Sequence, residues 1–582
     1  MSAEWVPATT RPIISGSKYM VSAGHSAAAL AATRILEAGG NATDAGVAGG
    51  LCLNVVQPDL TGIGGVAPIC VFQADTKRVT TISGLGSWPM AADPDFFREQ
   101  CAGRIPPGIM RTVVPAAMDA WLTALRLYGT MSFAEVAAPA IELAAGGFPV
   151  HSVMYGTLAD PAAVSALRSW PSSAKIFLDE TGHPYPVGHL FIQSDLGHTL
   201  ELLVEAEVNA SSREGGIIAV RDRFYRGDIA EAMVKFSKQE GGWLAASDLA
   251  EFEVEVEVAC SVGYRGYDVY SCGAWCQGPV VLETLNILEG YDLTELSPQS
   301  PDVYHLILES LKASFSDRDR YYGDPRFVHV PLDGLLSKDY AREWRKRIDP
   351  KIATPGMPMP GPAWDFSASI ESSPSRWTFP VPSDGDRDPD TSYICVVDEW
   401  GNAFSATPSD ALTGAPVVPG LGFVMSCRGA QSWLDPHHPS SVQPGKRPRL
   451  TPSPGLVIKN GGFVMPYGTP GLDMQPQAMV QFLVNMIDFD LDVQAAIEVP
   501  RAATFSFPST SDPHTYTPGL VRLERRAGLD VAADLESRGH RLELWPEWTG
   551  LAGSICAIKA EMNSHVYFGG ADPRRVAYAL GR

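Results

Sequence analysis

A threonine at the border between two different stretches of sequence is the residue best suited to chemistry in this chain. Residues 351–390 are rich in Pro, Ser and Asp, and an apolar run typical of a buried strand begins at Thr391. If the chain were cut between Asp390 and Thr391, the threonine hydroxyl would lie beside a free α-amine, a base whose pKa is about 8. The two groups would then form a nucleophile and its proton acceptor. The alternative is that Asp390 and Thr391 simply form a loop that enters a strand.

The sequence after this border predicts the elements that would position Thr391. A strand is predicted over 391–398, a turn over 399–402 and a second strand over 403–407. Another hairpin is predicted over 455–467, with its turn at Asn460 and Gly461. Helical patterns follow near 476–488 and 490–498.

The sequence before the border predicts mainly helices. Two helices are expected over 25–38 and from 41 onward, and a hairpin over 67–83. Residues 112–350 are mostly helical in pattern, with one strand at 264–270, and residues 351–390 are expected to be a mobile linker. We therefore expect a large unit, 1–390, and a smaller unit, 391–582, in an α/β fold whose packed sheets are covered by helices.

The amino-acid composition argues against some classes of binding partner. The 582 residues carry a net charge of -21 and no basic block stands out, which argues against nucleic acid or an anionic membrane surface as the main partner. No uncharged apolar run reaches the roughly 18 residues of a membrane span, and the first residues lack the features of a secretory signal. Nine cysteines without paired spacing are typical of a reducing compartment. We expect a soluble, cytoplasmic protein.

Motifs for metal or cofactor chemistry are missing from the sequence. It contains no H-E-x-x-H, no paired C-x-x-C, no G-x-x-x-x-G-K-[ST] phosphate loop and no G-x-S-x-G nucleophile elbow. His437 and His438 are adjacent, and because neighbouring side chains diverge on an extended chain, they are poorly placed to share a metal ion. We predict no metal and no cofactor.

Eight short motifs occur in the order found in one known family. They are AGGNATDA at 38–45, TGIGG at 61–65, FYRG at 224–227, NILE at 286–289, DRDRYYGDP at 317–325, GKRP at 445–448, GTPG at 468–471 and GADPR at 570–574. The stretch from Thr391 also has the form T-x-x-x-x-V-V-D-x-x-G-N-A. Each motif alone is weak, but together they cover nearly the whole chain. The sequence resembles the γ-glutamyltransferase-like N-terminal-nucleophile (Ntn) hydrolases.

This resemblance implies a fold and a mechanism. Members fold as an αββα sandwich and cleave themselves before a nucleophilic threonine, here between Asp390 and Thr391, which leaves a heterodimer of the two fragments. The resemblance places Ser409 as a hydroxyl partner of the nucleophile and the backbone N–H groups of Gly471 and Leu472 as donors to an oxyanion. The family usually has two glycines at the latter positions. The alternative for Ser409 is an ordinary turn.

The positions that hold a γ-glutamyl group in this family are altered. A free α-carboxylate needs Arg-type donors and an α-ammonium needs a carboxylate, because otherwise the cost of removing these charges from water cancels the binding energy. The resemblance aligns the family's Arg with Leu85, an Asn with Ala411, the ammonium-binding Asp with Ala430, and two serines with Leu450 and Thr451. These changes favour the same chemistry on a different acyl group.

Three further side chains are candidates for substrate binding. Arg428 and Arg449 lie near the altered positions in sequence and each is able to hold a carboxylate. The alternative for both is a structural or surface ion pair. Tyr467, with Trp433 and Met474, would line an apolar pocket or belong to the core.

We interpret the chain as a self-processing amidohydrolase for a small-molecule amide that is not a γ-glutamyl compound. Its expected assembly is a heterodimer of its own fragments, with a higher oligomer left open, and no nucleic-acid or membrane partner. Two alternatives stay open: a γ-glutamyltransferase with a rebuilt substrate clamp, and an uncleaved, non-catalytic relative that binds or supports other molecules.

Overall fold

A computed structural model describes residues 9–369, 378–383 and 391–582. Asp390 lies outside these ranges. The strands are β1 (Ile14–Gly16), β2 (Met20–Ala23), β3 (Ile69–Gln73), β4 (Arg78–Ile82), β5 (Phe148–Pro149), β6 (Leu190–Phe191), β7 (Val256–Val258), β8 (Cys260–Tyr264), β9 (Tyr267–Ser271), β10 (Ile394–Val397), β11 (Ala403–Ala406), β12 (Gly455–Lys459), β13 (Phe463–Gly468), β14 (Ala502–Thr504), β15 (Leu520–Glu524), β16 (Arg541–Trp545), β17 (Cys556–Glu561), β18 (Val566–Ala571) and β19 (Tyr578–Gly581).

Two seven-stranded sheets form the centre of the molecule. The strand order is β19-β2-β10-β11-β3-β4-β7 in the first sheet and β1-β18-β17-β13-β12-β9-β8 in the second. The sheets face each other through β10 and β11 on one side and β13 and β17 on the other. A buried cluster that includes Tyr393, Cys395, Leu456 and Ile558 fills the space between them.

Helices cover both outer faces of the sheets. They are α1 (Ser26–Glu37), α2 (Ala42–Val56), α3 (Pro94–Gln100), α4 (Ala117–Tyr128), α5 (Phe133–Gly146), α6 (Ser152–Leu158), α7 (Pro161–Ser169), α8 (Pro171–Phe177), α9 (Ser194–Glu207), α10 (Arg213–Arg226), α11 (Asp228–Gln239), α12 (Ala246–Ala250), α13 (Gly278–Leu288), α14 (Pro301–Tyr321), α15 (Leu332–Leu335), α16 (Lys338–Arg347), α17 (Met474–Ile487), α18 (Val493–Glu498) and α19 (Leu529–Ser537). Helices α1 and α2 pack on the first sheet, and α13, α17 and α18 pack on the second. The predicted αββα architecture is confirmed.

The strand that follows Thr391 is buried on both faces. Ile394 and Val396 point to the helices α1 and α2, whereas Cys395 and Val397 point to the other sheet. This alternation follows from the two-residue period of a strand. A strand that is buried between two apolar layers has a continuous run of apolar residues in its sequence. The strand after Thr391 was predicted from such a run.

The hairpin after Thr391 is tied to helix α2 by one carboxylate. Asp398 accepts hydrogen bonds from the backbone N–H groups of Trp400 and Asn402 within the turn, and from the N–H of Ala42 at the start of α2. Asn41 caps the same helix in a capping box with Asp44. The motifs at 38–45 and 398–403 therefore meet in space and hold the hairpin on the helix layer.

Two sequence predictions differ from the structure. The single strand predicted at 264–270 is wrong, because Arg265 and Gly266 both have positive φ and form a tight turn between β8 and β9. The mobile linker predicted over 351–390 is wrong over 351–369, where Ala353 is buried and Met357 and Ala363 belong to the core cluster that includes α13 and α17. Residues 370–377 and 384–390 lie outside the described ranges.

Among the described residues, no helix combines the length and the apolar character that a bilayer crossing requires.

We predict that Phe404→Ala destabilises the protein by about 3–5 kcal/mol, because the ring is fully buried and a cavity would remain. Phe404 stacks on Trp121 and lies so close to Gly46 that a Cβ there would be 2.1 Å from the ring. The matched control is Trp400→Ala in the same hairpin, whose side chain is 55% exposed and whose loss should change stability by about 0.5 kcal/mol or less. Urea unfolding measures both, and equal effects would contradict this packing.

Candidate active site

Two hydroxyl groups are in contact at the start of the hairpin. Thr391 Oγ1 lies 2.8 Å from Ser409 Oγ, and both side chains are fully buried. A hydroxyl at hydrogen-bond distance is able to hold the threonine in one rotamer and exchange a proton with it. The structure thus brings together the two residues for which the resemblance implied this contact, and the role of Ser409 stays a prediction.

Backbone hydrogen bonds fix the two hydroxyls relative to each other. The N–H of Ser392 donates to the carbonyl of Pro408 at 2.9 Å, which holds Thr391 beside Ser409. Ser409 in turn exchanges both of its backbone hydrogen bonds with Val66, at 2.9 and 3.0 Å. The position of Thr391 is therefore determined by an extension of the first sheet.

The glycine loop at 61–65 packs directly against this pair. A Cβ at Gly65 would lie 2.6 Å from the carbonyl oxygen of Ser409 and 2.9 Å from Cβ of Asp410. A Cβ at Gly64 would lie 2.3 Å from the carbonyl oxygen of Val424. Only glycine allows the backbone to approach this closely, so the loop motif supports the position of Ser409.

Arg428 extends the contact between the hydroxyls. Its Nη2 donates to Ser409 Oγ at 2.5 Å, and the side chain is 3% exposed. It lies in a short 3-10 helix, Arg428–Gln431. A charged donor on Ser409 stabilises negative charge on the hydroxyl chain. The sequence predicted Arg428 as a substrate ligand, and its contact with Ser409 was not anticipated.

Asp410 and Cys427 form a second buried contact next to Ser409. Cys427 Sγ lies 2.5 Å from Asp410 Oδ1, which also accepts the N–H of Cys427 at 3.2 Å. Burial and the Asp410 carboxylate raise the pKa of the Cys427 thiol to about 12, although the positive charges of Arg111 and Arg428 act in the opposite direction. The thiol therefore stays protonated at neutral pH, and a protonated thiol is a weak nucleophile.

The Gly471-Leu472 turn follows strand β13, which lies against the nucleophile's strand. A Cβ at Gly468, the last residue of β13, would lie 2.3 Å from the Tyr393 ring. Gly471 and Leu472 have φ values of 122° and 51°. Within the described ranges, their N–H groups have no hydrogen-bond acceptor. Two adjacent N–H groups in this state are suited to an oxyanion.

Side chains from two helices hold this turn in place. Gln277 Nε2 donates to the carbonyl of Leu472 at 2.8 Å. Arg318 Nη1 donates to the Gln277 side-chain oxygen at 3.0 Å and to Asp473 Oδ1 at 2.5 Å. These contacts hold the carbonyl of Leu472 and the side chain of Asp473, which flank the end of the turn. Sequence reasoning gave Arg318 only as part of a motif and missed Gln277, which no motif marked.

Arg449 and Tyr467 lie in other surroundings. The Arg449 guanidinium stacks over Trp433 at 4.7 Å, and its Nη1 donates to the carbonyl of Arg318 at 3.0 Å. Burial and the charge of Arg318 lower the pKa of Arg449 to about 9. Tyr467 is fully buried and stacks on Phe482. These contacts favour the structural alternatives that the sequence left open for both residues.

A buried cluster elsewhere has side chains of the type that bind metals. Ligand atoms of His305, Glu309 and His540 lie within 4.8 Å of one another. His305 Nε2 donates to the carbonyl of Asp349 at 2.8 Å, and Lys312 Nζ donates to Glu309 at 2.7 Å. The ammonium of Lys312 already balances the carboxylate, so we assign the cluster a structural role. His438 stacks flat on Trp433 in a different region, and burial lowers its pKa to about 4.

The comparison with known proteins agrees with this geometry. The family model for gamma-glutamyltranspeptidase matches residues 28–581. The chain belongs to the gamma-glutamyltranspeptidase family. The family resemblance predicted from the eight motifs is confirmed.

Relatives in this family have two kinds of names. The chain is 33% identical over 571 residues to the glutathione hydrolase-like YwrD proenzyme of Bacillus subtilis (strain 168), covering 97% of this chain and 99% of the relative. It is 32% identical over 563 residues to the acylase ACY 1 proenzyme of Pseudomonas sp. (strain SE83), covering 94% and 90%. The crystal structure of cephalosporin acylase from Bacillus halodurans matches with a TM-score of 0.84 and 29% identity, covering 100% of this chain and 99% of that one.

We predict that Ser409→Ala slows self-cleavage and any later turnover by about 10²-fold, because the partner hydroxyl of Thr391 is lost. Ser409→Thr retains the hydroxyl and should stay within about 10-fold of the wild type. A time course on denaturing gels compares the three proteins. Processing of Ser409→Ala at the wild-type rate would show that the 2.8 Å contact has no chemical role.

Proposed function

We propose that this member of the gamma-glutamyltranspeptidase family is a self-processing amidohydrolase that uses Thr391 as its nucleophile and acts on a small amide other than a γ-glutamyl compound. The observation that carries the proposal is the buried contact of Thr391 Oγ1 with Ser409 Oγ, to which Arg428 also donates. The names of relatives that are proenzymes and acylases support it.

In the first reaction, Thr391 Oγ attacks the carbonyl carbon of Asp390. The C–N bond between the two residues breaks, the α-amine of Thr391 takes up the proton, and an ester to the threonine oxygen forms. Water then hydrolyses the ester to the Asp390 carboxylate and the free hydroxyl. The contact with Ser409 and the charge of Arg428 support the step that needs a deprotonated threonine oxygen.

In the second reaction, the same oxygen attacks a substrate amide. The free α-amine accepts the hydroxyl proton and returns it to the leaving amine, and water hydrolyses the acyl-enzyme. The N–H groups of Gly471 and Leu472 are the candidate donors to the tetrahedral oxyanion. Leu472 retains its N–H where the family usually has glycine, so this substitution leaves the donor in place.

The surroundings of the altered positions support a substrate other than a γ-glutamyl compound. Leu85 and Leu450, which stand where the family has an Arg and a Ser, are buried in one apolar cluster with Trp275. The hydroxyl of Thr451 accepts a hydrogen bond from Gln431 Nε2 at 2.9 Å. An apolar cluster does not bind a carboxylate, because removing that charge from water without a partner costs several kcal/mol.

Each central sheet contains strands from both proposed fragments, which supports a heterodimer after cleavage. β10 pairs with β2 from the first fragment, and β13 lies in a sheet that includes β8 and β9 from the same fragment. Separating the fragments would break both sheets.

We expect freshly purified protein to show fragments of roughly 42 and 21 kDa, in proportion to the residues on each side of position 390 in the 62.5 kDa chain. Thr391→Ala should give one uncut band and no amidase activity, since no hydroxyl remains. Thr391→Ser is the matched control and should still be cut. N-terminal sequencing of the smaller band checks the position. A single uncut band from active wild type would overturn the proposal.

We expect γ-glutamyl-p-nitroanilide to be a poor substrate. Each missing charge-assisted contact costs about 1.5–3 kcal/mol, so two or three lost contacts lower kcat/KM by several powers of ten. The control is a p-nitroanilide without an α-amine, such as the succinyl compound, assayed with the same processed protein. A γ-glutamyl kcat/KM near 10⁴ M⁻¹s⁻¹, within the ordinary range for enzymes, would favour the transferase with a rebuilt clamp.

A further inference from the structure

Arg111 is a buried cation that forms no ion pair within the part of the chain that the structure describes. Its side chain is 7% exposed, and its Nε has no hydrogen-bond partner. Within the described ranges, the guanidinium as a whole makes no hydrogen bond and no ion pair. Burying an ion without a partner costs several kcal/mol, so proteins rarely retain one without a use.

The segment that carries Arg111 lies between two segments that bear altered positions of the family's substrate clamp. On one side, the N–H of Val114 donates to the carbonyl of Ser87 at 3.0 Å, which places this segment beside the one that carries Leu85. On the other side, the N–H of Val113 donates to the carbonyl of Ser426 at 2.8 Å, which places it beside the segment of Arg428 and Ala430.

The guanidinium is directed toward the same group of residues. Arg111 Nη2 lies 2.6 Å from the point where a Cβ of Gly414 would be, and Cys427 Sγ lies 2.4 Å from that point. Gly414 also donates its N–H to the carbonyl of Ala411 at 2.9 Å. Arg111 is therefore next to the turn of Ala411 and next to Cys427, whose neighbour Arg428 contacts Ser409.

One nearby carboxylate is a possible partner for Arg111. Asp410 Oδ2 is buried and has no hydrogen-bond partner, while its Oδ1 is occupied by Cys427. No ion pair joins Asp410 to Arg111 among the described residues. The Arg111 Nε and the Asp410 Oδ2 are thus both buried without a hydrogen-bond partner.

We infer that Arg111 binds a carboxylate on the acyl part of the substrate and replaces the arginine that Leu85 has lost. The inference rests on the proposed amidohydrolase function. Arg111 is then a specificity-determining residue, and the substrates are amides whose acyl group ends in a carboxylic acid. A planar guanidinium matches a carboxylate through two parallel hydrogen bonds.

The test compares processed wild type with Arg111→Gln, Arg111→Lys and the surface control Arg126→Gln. The probes are malonyl-, succinyl- and glutaryl-p-nitroanilide, each paired with its methyl ester as a neutral counterpart. For the best acid probe, Arg111→Gln should lower kcat/KM by about 50-fold or more, which is the order of one charge-assisted contact. The ester should change by less than about threefold, which is under 1 kcal/mol. Arg111→Lys should recover part of the loss, and Arg126→Gln should match wild type.

A structural role for Arg111 would lower the rates for acid and ester equally, and that result overturns the inference. Failure of the proposed function is recognised separately, as the absence of any hydrolysis. In that case, calorimetric titration with malonate, succinate and glutarate decides the matter. Binding to wild type that Arg111→Gln abolishes supports the inference, whereas binding that is unchanged in the variant, or absent from wild type, overturns it.

Discussion

The pairing of β10 on both edges is the constraint on which the rest of the structure depends. Ile394–Val397 is hydrogen-bonded to β2 on one side and to β11 on the other, with apolar residues on both faces. Thr391 is three residues before this strand, so its position is set by a strand that is paired on both edges. A central strand also stays in place when the chain before it is cut, because none of its ladder hydrogen bonds runs through the severed peptide.

The site around Thr391 combines this rigidity with local strain. Leu472 adopts a φ of 51°, a conformation that costs a non-glycine residue about 1–3 kcal/mol. It persists because Gln277 fixes its carbonyl and Arg318 fixes the next side chain, Asp473. Buried hydrogen bonds therefore hold a turn whose Gly471 and Leu472 N–H groups have no acceptor among the described residues.

The sequence predicted those features that depend on local chemistry. The helix start at Asn41 and the turn at 399–402 follow from residue type and spacing, and the structure contains both. The turn at Arg265 and Gly266 was missed, because a positive φ at an arginine leaves little trace in the sequence. Arg111 and Gln277 lie next to residues far away in the chain, Gly414 and Leu472 respectively, and no periodicity or motif reports such neighbours.

The residues around Thr391 and the altered positions of the substrate clamp lie on different segments. Thr391, Ser409 and the 471–472 turn are positioned by the two sheets, whereas the altered positions Leu85, Ala411, Ala430, Leu450 and Thr451 lie outside the regular strands. The first group is fixed by ladder hydrogen bonds and close glycine contacts, which tolerate little change. At the altered positions, by contrast, a leucine can replace an arginine if a cation is present on a neighbouring segment. Such an exchange fits two observations: Leu85 lies in an apolar cluster, and the buried Arg111 forms no ion pair among the described residues. The reaction can therefore be preserved while the acyl group that it acts on changes.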